Sequence, residues 1–164
     1  MENMYGSAKI NLKQLLLNLV IPLAVGGLSA FLTMGNMDIL EELNTPMLTP
    51  PKIVFPIVWT ILFLLMGISS YLVSQSNVLD ADKTSALMVY GLQLVVNFIW
   101  PLLFFNGQKF FGAFICLIVL LALVIVMTVK FYKINKPAGL LQIPYIIWLL
   151  FAAYLNLSVY LMNK

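Results

Sequence analysis

Thr49-Pro50-Pro51-Lys52-Ile53-Val54-Phe55-Pro56-Ile57-Val58-Trp59 opens a hydrophobic run that continues through Met66-Gly67 to Ser70-Tyr71-Leu72-Val73. Between Ile53 and Val73 the only ionisable side chain is tyrosine. A run of that length matches the roughly 20 apolar residues that a helix needs to cross a bilayer. The prolines suit its start. If the helix begins near Ile53, Pro56 falls among the first four residues, whose N–H groups have no intrahelical partner. A start at Pro50 would put Pro56 in the second turn and kink it, so the later start is expected. Phe55, Trp59, Phe63 and Met66 then share one helical face. Taken singly, each of these side chains also fits ordinary packing between helices.

Outward from this run, composition sets the class. The chain has 164 residues, 62% hydrophobic and 9% charged, with a mean hydropathy of +1.01. Soluble domains carry about 25% charged residues, so an all-α integral membrane protein is expected. Spans at about 14–34, 53–74, 85–105, 110–129 and 140–162 make a single bundle of five transmembrane helices, with no length left for a separate soluble domain. The first run, Leu15 to Met34, follows a basic start and exceeds the 7–15-residue core of a signal peptide, so it reads as a retained span. Gly26 and Ala30 within it form a small-xxx-small pair of the kind that marks close helix contact. The fourth span is almost purely Leu, Ile and Val, and reads as lipid-facing or packing.

The net charge of +3 comes from nine lysines and no arginine. They lie in loops and tails, so no nucleic-acid partner is expected. With the N-terminus inside, Lys9, Lys13, Lys83, Lys130, Lys133 and Lys136 are internal, against Lys52, Lys109 and Lys164 outside. Six against three favours an N-in, C-out topology. The acidic first loop, 35–52, is then external. Ile39, Leu40, Leu43, Met47 and Leu48 are interleaved with its charges, which fits either a lid over the bundle or an amphipathic turn on the membrane surface.

Histidine is absent and Cys116, the lone cysteine, lies in an apolar run. No metal site and no intrachain disulfide are expected, and Cys116 reads as a small buried hydrophobe. No acidic or basic residue falls within a span, which argues against a proton relay. No Ser/His, Cys/His or paired-carboxylate constellation is present either, so conventional acid–base or nucleophilic catalysis has no visible agents. The polar residues that do enter the spans are amides on aromatic stripes. Gln93, Asn97, Trp100 and Phe104 recur at helical steps on the third span; Tyr145, Trp148, Ala152 and Asn156 do so on the fifth, with Gln142 near its start. With Phe55, Trp59 and Phe63, these stripes place one tryptophan on each of three spans. Facing inward, they would enclose an aromatic cavity suited to a large, flat, mostly apolar ligand. Alternatively the amides only link helices, contributing about 1 kcal/mol each.

These residues resemble a known family. Pro46, Pro50-Pro51, Phe55, Val58-Trp59, Met66-Gly67 and Ser70-Tyr71-Leu72-Val73 are similar to the second-helix region of the TspO/MBR family, the tryptophan-rich sensory proteins and translocator or peripheral benzodiazepine receptor proteins. Gln93-Leu94, Asn97, Trp100-Pro101 and Phe104-Phe105 resemble its third-helix signature. Pro144-Tyr145, Trp148, Phe151-Ala152 and Tyr154-Leu155-Asn156 resemble its fifth. The blocks are in order and cover about Ala30 to Asn163.

The resemblance implies a five-helix bundle, often a homodimer, that binds tetrapyrroles such as protoporphyrin IX and haem, or similar flat apolar ligands, as a membrane receptor or sensor. It implies a ligand site of Trp59, Asn97, Trp100, Trp148 and Ala152, flanked by Phe55 and Phe63. Porphyrin or haem would be a ligand, with no resident cofactor. It also admits a light- and oxygen-dependent porphyrin-degrading enzyme, with Trp59 and Trp148 as the candidate reactive residues, or a transporter of porphyrin or other apolar cargo. No mitochondrial presequence is visible, so a bacterial cytoplasmic membrane is expected. Two family features differ. The first-loop Trp-Tyr pair is Ile39-Leu40 here, and the Lys-Pro-x-Trp before the double proline is Thr45-Pro46-Met47-Leu48. Leu157, Tyr160 and Lys164 formally match a sterol-contact pattern, but a tyrosine and a lysine at a helix end also serve as interfacial anchors.

Overall fold

The computed structural model describes residues 10–164, and helices are its only regular elements among the described residues. The helices are α1 (Leu12–Thr33), α2 (Ile39–Glu42), α3 (Val54–Ser74), α4 (Asp80–Pro101), α5 (Phe110–Ile134), α6 (Lys136–Leu140) and α7 (Ile143–Met162). A 3₁₀ turn, Met34–Asn36, extends α1, and a π-helical turn, Leu102–Asn106, extends α4. Five helical stretches, the last made of α6 and α7 together, are long and apolar enough to cross a membrane. The protein is an all-α, multi-pass membrane protein. Lys9, counted on the inner side, lies outside the described residues.

Helix ends differ from the apolar boundaries for local reasons. α3 starts at Val54, which puts Pro56 in its first turn, where a missing N–H costs nothing. α4 starts at Asp80 rather than near Ser85, because Asp80 and Asp82 sit favourably at the positive end of the helix dipole. α5 runs past Lys130 to Ile134, and the Lys130 ammonium donates to Ser85 Oγ on α4 at 2.9 Å. The last stretch is broken: Asn135 caps α6 by accepting from the Ala138 N–H (3.1 Å), and α7 begins afresh at Ile143.

Around the bundle the order is α3, α1, α4, α5, α7, with α6 closing the ring onto α3. The α1–α3 contact depends on Gly67. A Cβ there would lie 2.8 Å from both the Asn18 carbonyl oxygen and Leu19 Cα, which is backbone that cannot step aside. Beside it Ser70 Oγ donates to Asn18 Oδ1 (2.8 Å), and the Asn11 N–H donates to the Tyr71 hydroxyl (3.0 Å).

α5 shows both of the roles expected of the fourth span. Ala113, Leu117, Leu120, Val124, Met127 and Phe131 form one fully buried row at helical steps, while Ile115, Ile118, Val119, Ile125 and Val126 face outward. Outward-facing stripes such as Ile57, Ile61, Leu64 and Ile68 on α3 belong against lipid. Cys116 is half-buried on α5 and its thiol approaches the Val96 carbonyl at 3.6 Å. At the C-terminal end the Lys164 ammonium lies 5.2 Å from the centre of the Tyr160 ring, which also packs on Phe111.

Candidate functional site

One half of the bundle is filled; the other is hollow. The filled half is closed off by a buried polar group at mid-bundle. The Tyr145 hydroxyl accepts from Asn97 Nδ2 (2.6 Å) and donates to Gln93 Oε1 (2.9 Å), and Gln93 Nε2 rests on the Met66 sulfur at 3.7 Å. Tyr145, Gln93 and Asn97 are thus committed to one another, the linking role open to amides in a span. Only Asn97 of the three also reaches the cavity.

The cavity lies at the end of the bundle where α1, α4 and α7 finish and α3 begins, and has a volume of about 190 Å³. Phe55, Pro56, Trp59 and Phe63 of α3 form one wall. Asn97, Trp100, Pro101, Phe104 and Phe105 form the wall from α4 and its π turn. Pro101 has no N–H to offer the Asn97 carbonyl, and the π turn follows directly, with the Gly107 N–H donating to the Leu102 carbonyl at 2.8 Å. Both Phe104 and Phe105 line the cavity in consequence. Ala152, Leu155, Asn156 and Val159 of α7 complete the far side.

The rings form a connected set. Trp59 stacks on Phe63 (centroids 5.6 Å apart) and faces Trp100 at 6.2 Å with 30° between planes. Trp100 in turn contacts Phe104 at 5.9 Å. Its indole N–H is held by Asn156 Oδ1 (3.0 Å), while Asn156 Nδ2 donates to the Phe110 carbonyl (2.8 Å). Asn156 therefore fixes the Trp100 plane and spends both ends of its amide doing so.

Of the residues read from sequence as a ligand site, Phe55, Trp59, Phe63, Asn97, Trp100 and Ala152 are brought together in this wall. Trp148 is not among them. It stands behind Phe55, edge-on at 5.9 Å, and packs on Phe151 at 5.6 Å. Its neighbour Leu149 takes the inward position.

The α1 wall escaped the sequence reading. Gly26, Ser29, Ala30 and Thr33 present a small-residue face to the cavity. The Gly26–Ala30 pair therefore borders open space and the Phe63 ring: a Cβ on Gly26 would fall 2.1 Å from Phe63 Cε2. The available signal was Ser29 and Thr33 one turn apart in an otherwise apolar span.

The first loop closes the remaining side through Met37, Leu40, Thr45 and Thr49, with Lys52 at its end. Four contacts hold it. Lys52 Nζ meets Glu41 Oε1 at 2.5 Å. The Asn44 N–H donates to Asn163 Oδ1 and the Asn44 carbonyl accepts from Asn163 Nδ2, both at 2.9 Å. Asn36 Nδ2 donates to Asn106 Oδ1 at 2.8 Å. The Lys52 ammonium holds the Glu41 carboxyl below the usual carboxylate range, by hydrogen bond first and by charge second.

These features define a multi-pass membrane protein built around a partly open aromatic cavity bordered by its first loop. The chain belongs to the TspO/MBR family, whose family model matches residues 18–161. It is 32% identical over 155 residues to the tryptophan-rich protein TspO of Archaeoglobus fulgidus, covering 94% of this chain and 99% of that one. It is 32% identical to the tryptophan-rich sensory protein of Cereibacter sphaeroides, over 75% of each chain. To the translocator protein of Ovis aries it is 30% identical, over 75% of this chain and 73% of that one.

Proposed function

We propose that the chain is a membrane receptor or sensor that binds a tetrapyrrole, or a similarly flat apolar ligand, in the cavity between α1, α3, α4 and α7. The observation that carries this reading is the pair of indoles on opposing helices, Trp59 and Trp100, inclined by only 30°. Together with Phe55, Phe63, Phe104 and Phe105 they present ring faces and edges to a planar guest. Lys52 is the one charged group in the wall, a cation available to a peripheral carboxylate of such a ligand.

Size adds a condition. Small-molecule pockets run to about 300–1,000 Å³, and this cavity is about 190 Å³. Entry of a macrocycle therefore requires the first loop to lift, and the contacts that hold it are exposed and exchangeable. Composition favours the metal-free ring. The chain has no histidine, and the wall's only sulfur is Met37 on that loop, so haem iron would gain little axial ligation. The reading includes a homodimer in a bacterial cytoplasmic membrane, N-terminus inside.

The test is a protoporphyrin IX titration of detergent-purified protein in the dark, followed by tryptophan quenching. Saturation near one ligand per chain, weakened in Trp59→Phe and Asn97→Ala, is the expected result. Linear quenching unaffected by either substitution would refute it. Illumination of the same complex separates the enzymatic reading: a new absorbing product that depends on Trp59, which lines the cavity, would favour catalysis over binding alone.

A further inference from the structure

Ser29 is 5% exposed, forms part of the α1 wall of the cavity, and its hydroxyl is buried without a hydrogen-bond partner. Buried hydroxyls without a partner are rare enough in native proteins to call for an explanation. Helical serines and threonines normally hand their proton to a carbonyl three or four residues back. This chain does so repeatedly: Thr33 to Ser29, Thr60 to Pro56, Ser74 to Tyr71 and Thr128 to Val124, at 2.7–2.9 Å. Ser29 does not.

Its surroundings supply no substitute. Gly26 and Ala30, on the same face, have no polar side chain, and Thr33 directs its own proton at the Ser29 carbonyl. Across the cavity, Asn156 Oδ1 already accepts from Trp100, and neither it nor Asn97 Oδ1 lies within hydrogen-bond distance of the Ser29 hydroxyl. Among the described residues lining the cavity, Ser29 is the one with a buried side-chain polar atom left unpaired.

We infer that Ser29 is a specificity-determining residue: its hydroxyl donates to an acceptor oxygen, a carbonyl or carboxylate, on the edge of the bound ligand nearest α1. A hydroxyl proton with no protein acceptor must go to whatever fills the space. The small α1 face lets a ligand edge come close enough to take it. A water standing there in the empty protein would be displaced without loss only by a ligand carrying such an acceptor. Flat ligands with a purely hydrocarbon periphery would leave the hydroxyl unpaired and bind more weakly.

This inference rests on the cavity being the ligand site, so its test uses two probes. Protoporphyrin IX, with two carboxylic side chains, and etioporphyrin, with alkyl groups only, are titrated in the dark into wild type and Ser29→Ala. Alanine removes the hydroxyl and is the better helix former, so folding is preserved. Expected is a loss of about tenfold in protoporphyrin IX affinity in Ser29→Ala, with etioporphyrin unchanged or tighter. If wild type and Ser29→Ala bind both porphyrins alike, the role of Ser29 is overturned while the cavity reading stands. If wild type binds neither porphyrin, both are overturned.

Discussion

At the scale of single residues, the cavity is organised by amides that hold aromatic groups rather than by groups that react. Asn156 fixes Trp100, and Asn97 shares the Tyr145 hydroxyl with Gln93. Asn156→Leu should free the Trp100 indole and strand the Phe110 carbonyl. Each lost interhelical bond is worth about 1 kcal/mol, so a lower thermal midpoint and a shifted tryptophan emission are expected. An unchanged emission spectrum would show that Asn156 does not position the ring. Sequence periodicity already set Trp59, Asn97 and Trp100 on inward faces, because amides and indoles in an apolar span have few other places to go. Trp148, set on the same face by that periodicity, stands behind Phe55 instead of in the cavity wall. Steps of three and four from Tyr145 reach Ala152 through either Trp148 or Leu149, and in the bundle Leu149 is the one fully buried while Trp148 packs on Phe55. Ser29 was overlooked because a lone hydroxyl in a helix ordinarily satisfies itself.

At the scale of elements, two devices matter. The first is the close approach of α1 to α3 at Gly67, where an added side chain meets backbone. Gly67→Leu should separate the two helices and destabilise the protein by about 1–3 kcal/mol, as overpacking does, read as a fall in thermal midpoint in detergent. Gly27, where an added Cβ would meet nothing within 4 Å, should tolerate alanine. The second is the first loop. Glu41 has its carboxyl held low by Lys52, so their pairing is complete above the unfolded carboxylate range and is lost as pH falls through the lower folded value. Protection of residues 37–52 against hydrogen exchange, taken relative to the intrinsic amide rate at each pH, should therefore fall below about pH 4, and Glu41→Gln should show the lower protection already at pH 7. Equal exchange in wild type and Glu41→Gln would mean that Asn44 and Asn163 hold the loop without the ion pair. The apolar residues in this loop were legible as a reason for it to fold back. Its partners were not, since Asn44 and Asn163 are 119 positions apart. The π turn after Pro101 was equally hidden: proline announces a break, but not which way the next turn relaxes.

At the scale of the whole molecule, five spans and a half-hollow bundle follow from composition and from where bulky side chains run out. Large buried groups such as Met66, Leu117, Tyr145 and Leu149 fill one half, whereas the α1 face at the other half offers only Gly26, Ser29, Ala30 and Thr33. Orientation in the membrane is a separate matter of lysine placement. In a Cys116→Ala background, a cysteine at Lys133 should be shielded from an impermeant thiol reagent in intact cells, and one at Lys109 labelled. The reverse pattern would invert the topology. The claim on which the functional reading turns is that ligand enters the space between the helices. The most direct measurement is the protoporphyrin IX affinity of Ala152→Phe, which fills that space, beside Ile147→Phe on the outer face of the same helix, where Ile147 is 62% exposed. A loss of at least about tenfold, or 1.4 kcal/mol, in Ala152→Phe with Ile147→Phe unchanged is the expected result. Wild-type affinity in Ala152→Phe, with its fold intact, would place the ligand elsewhere and contradict the cavity reading.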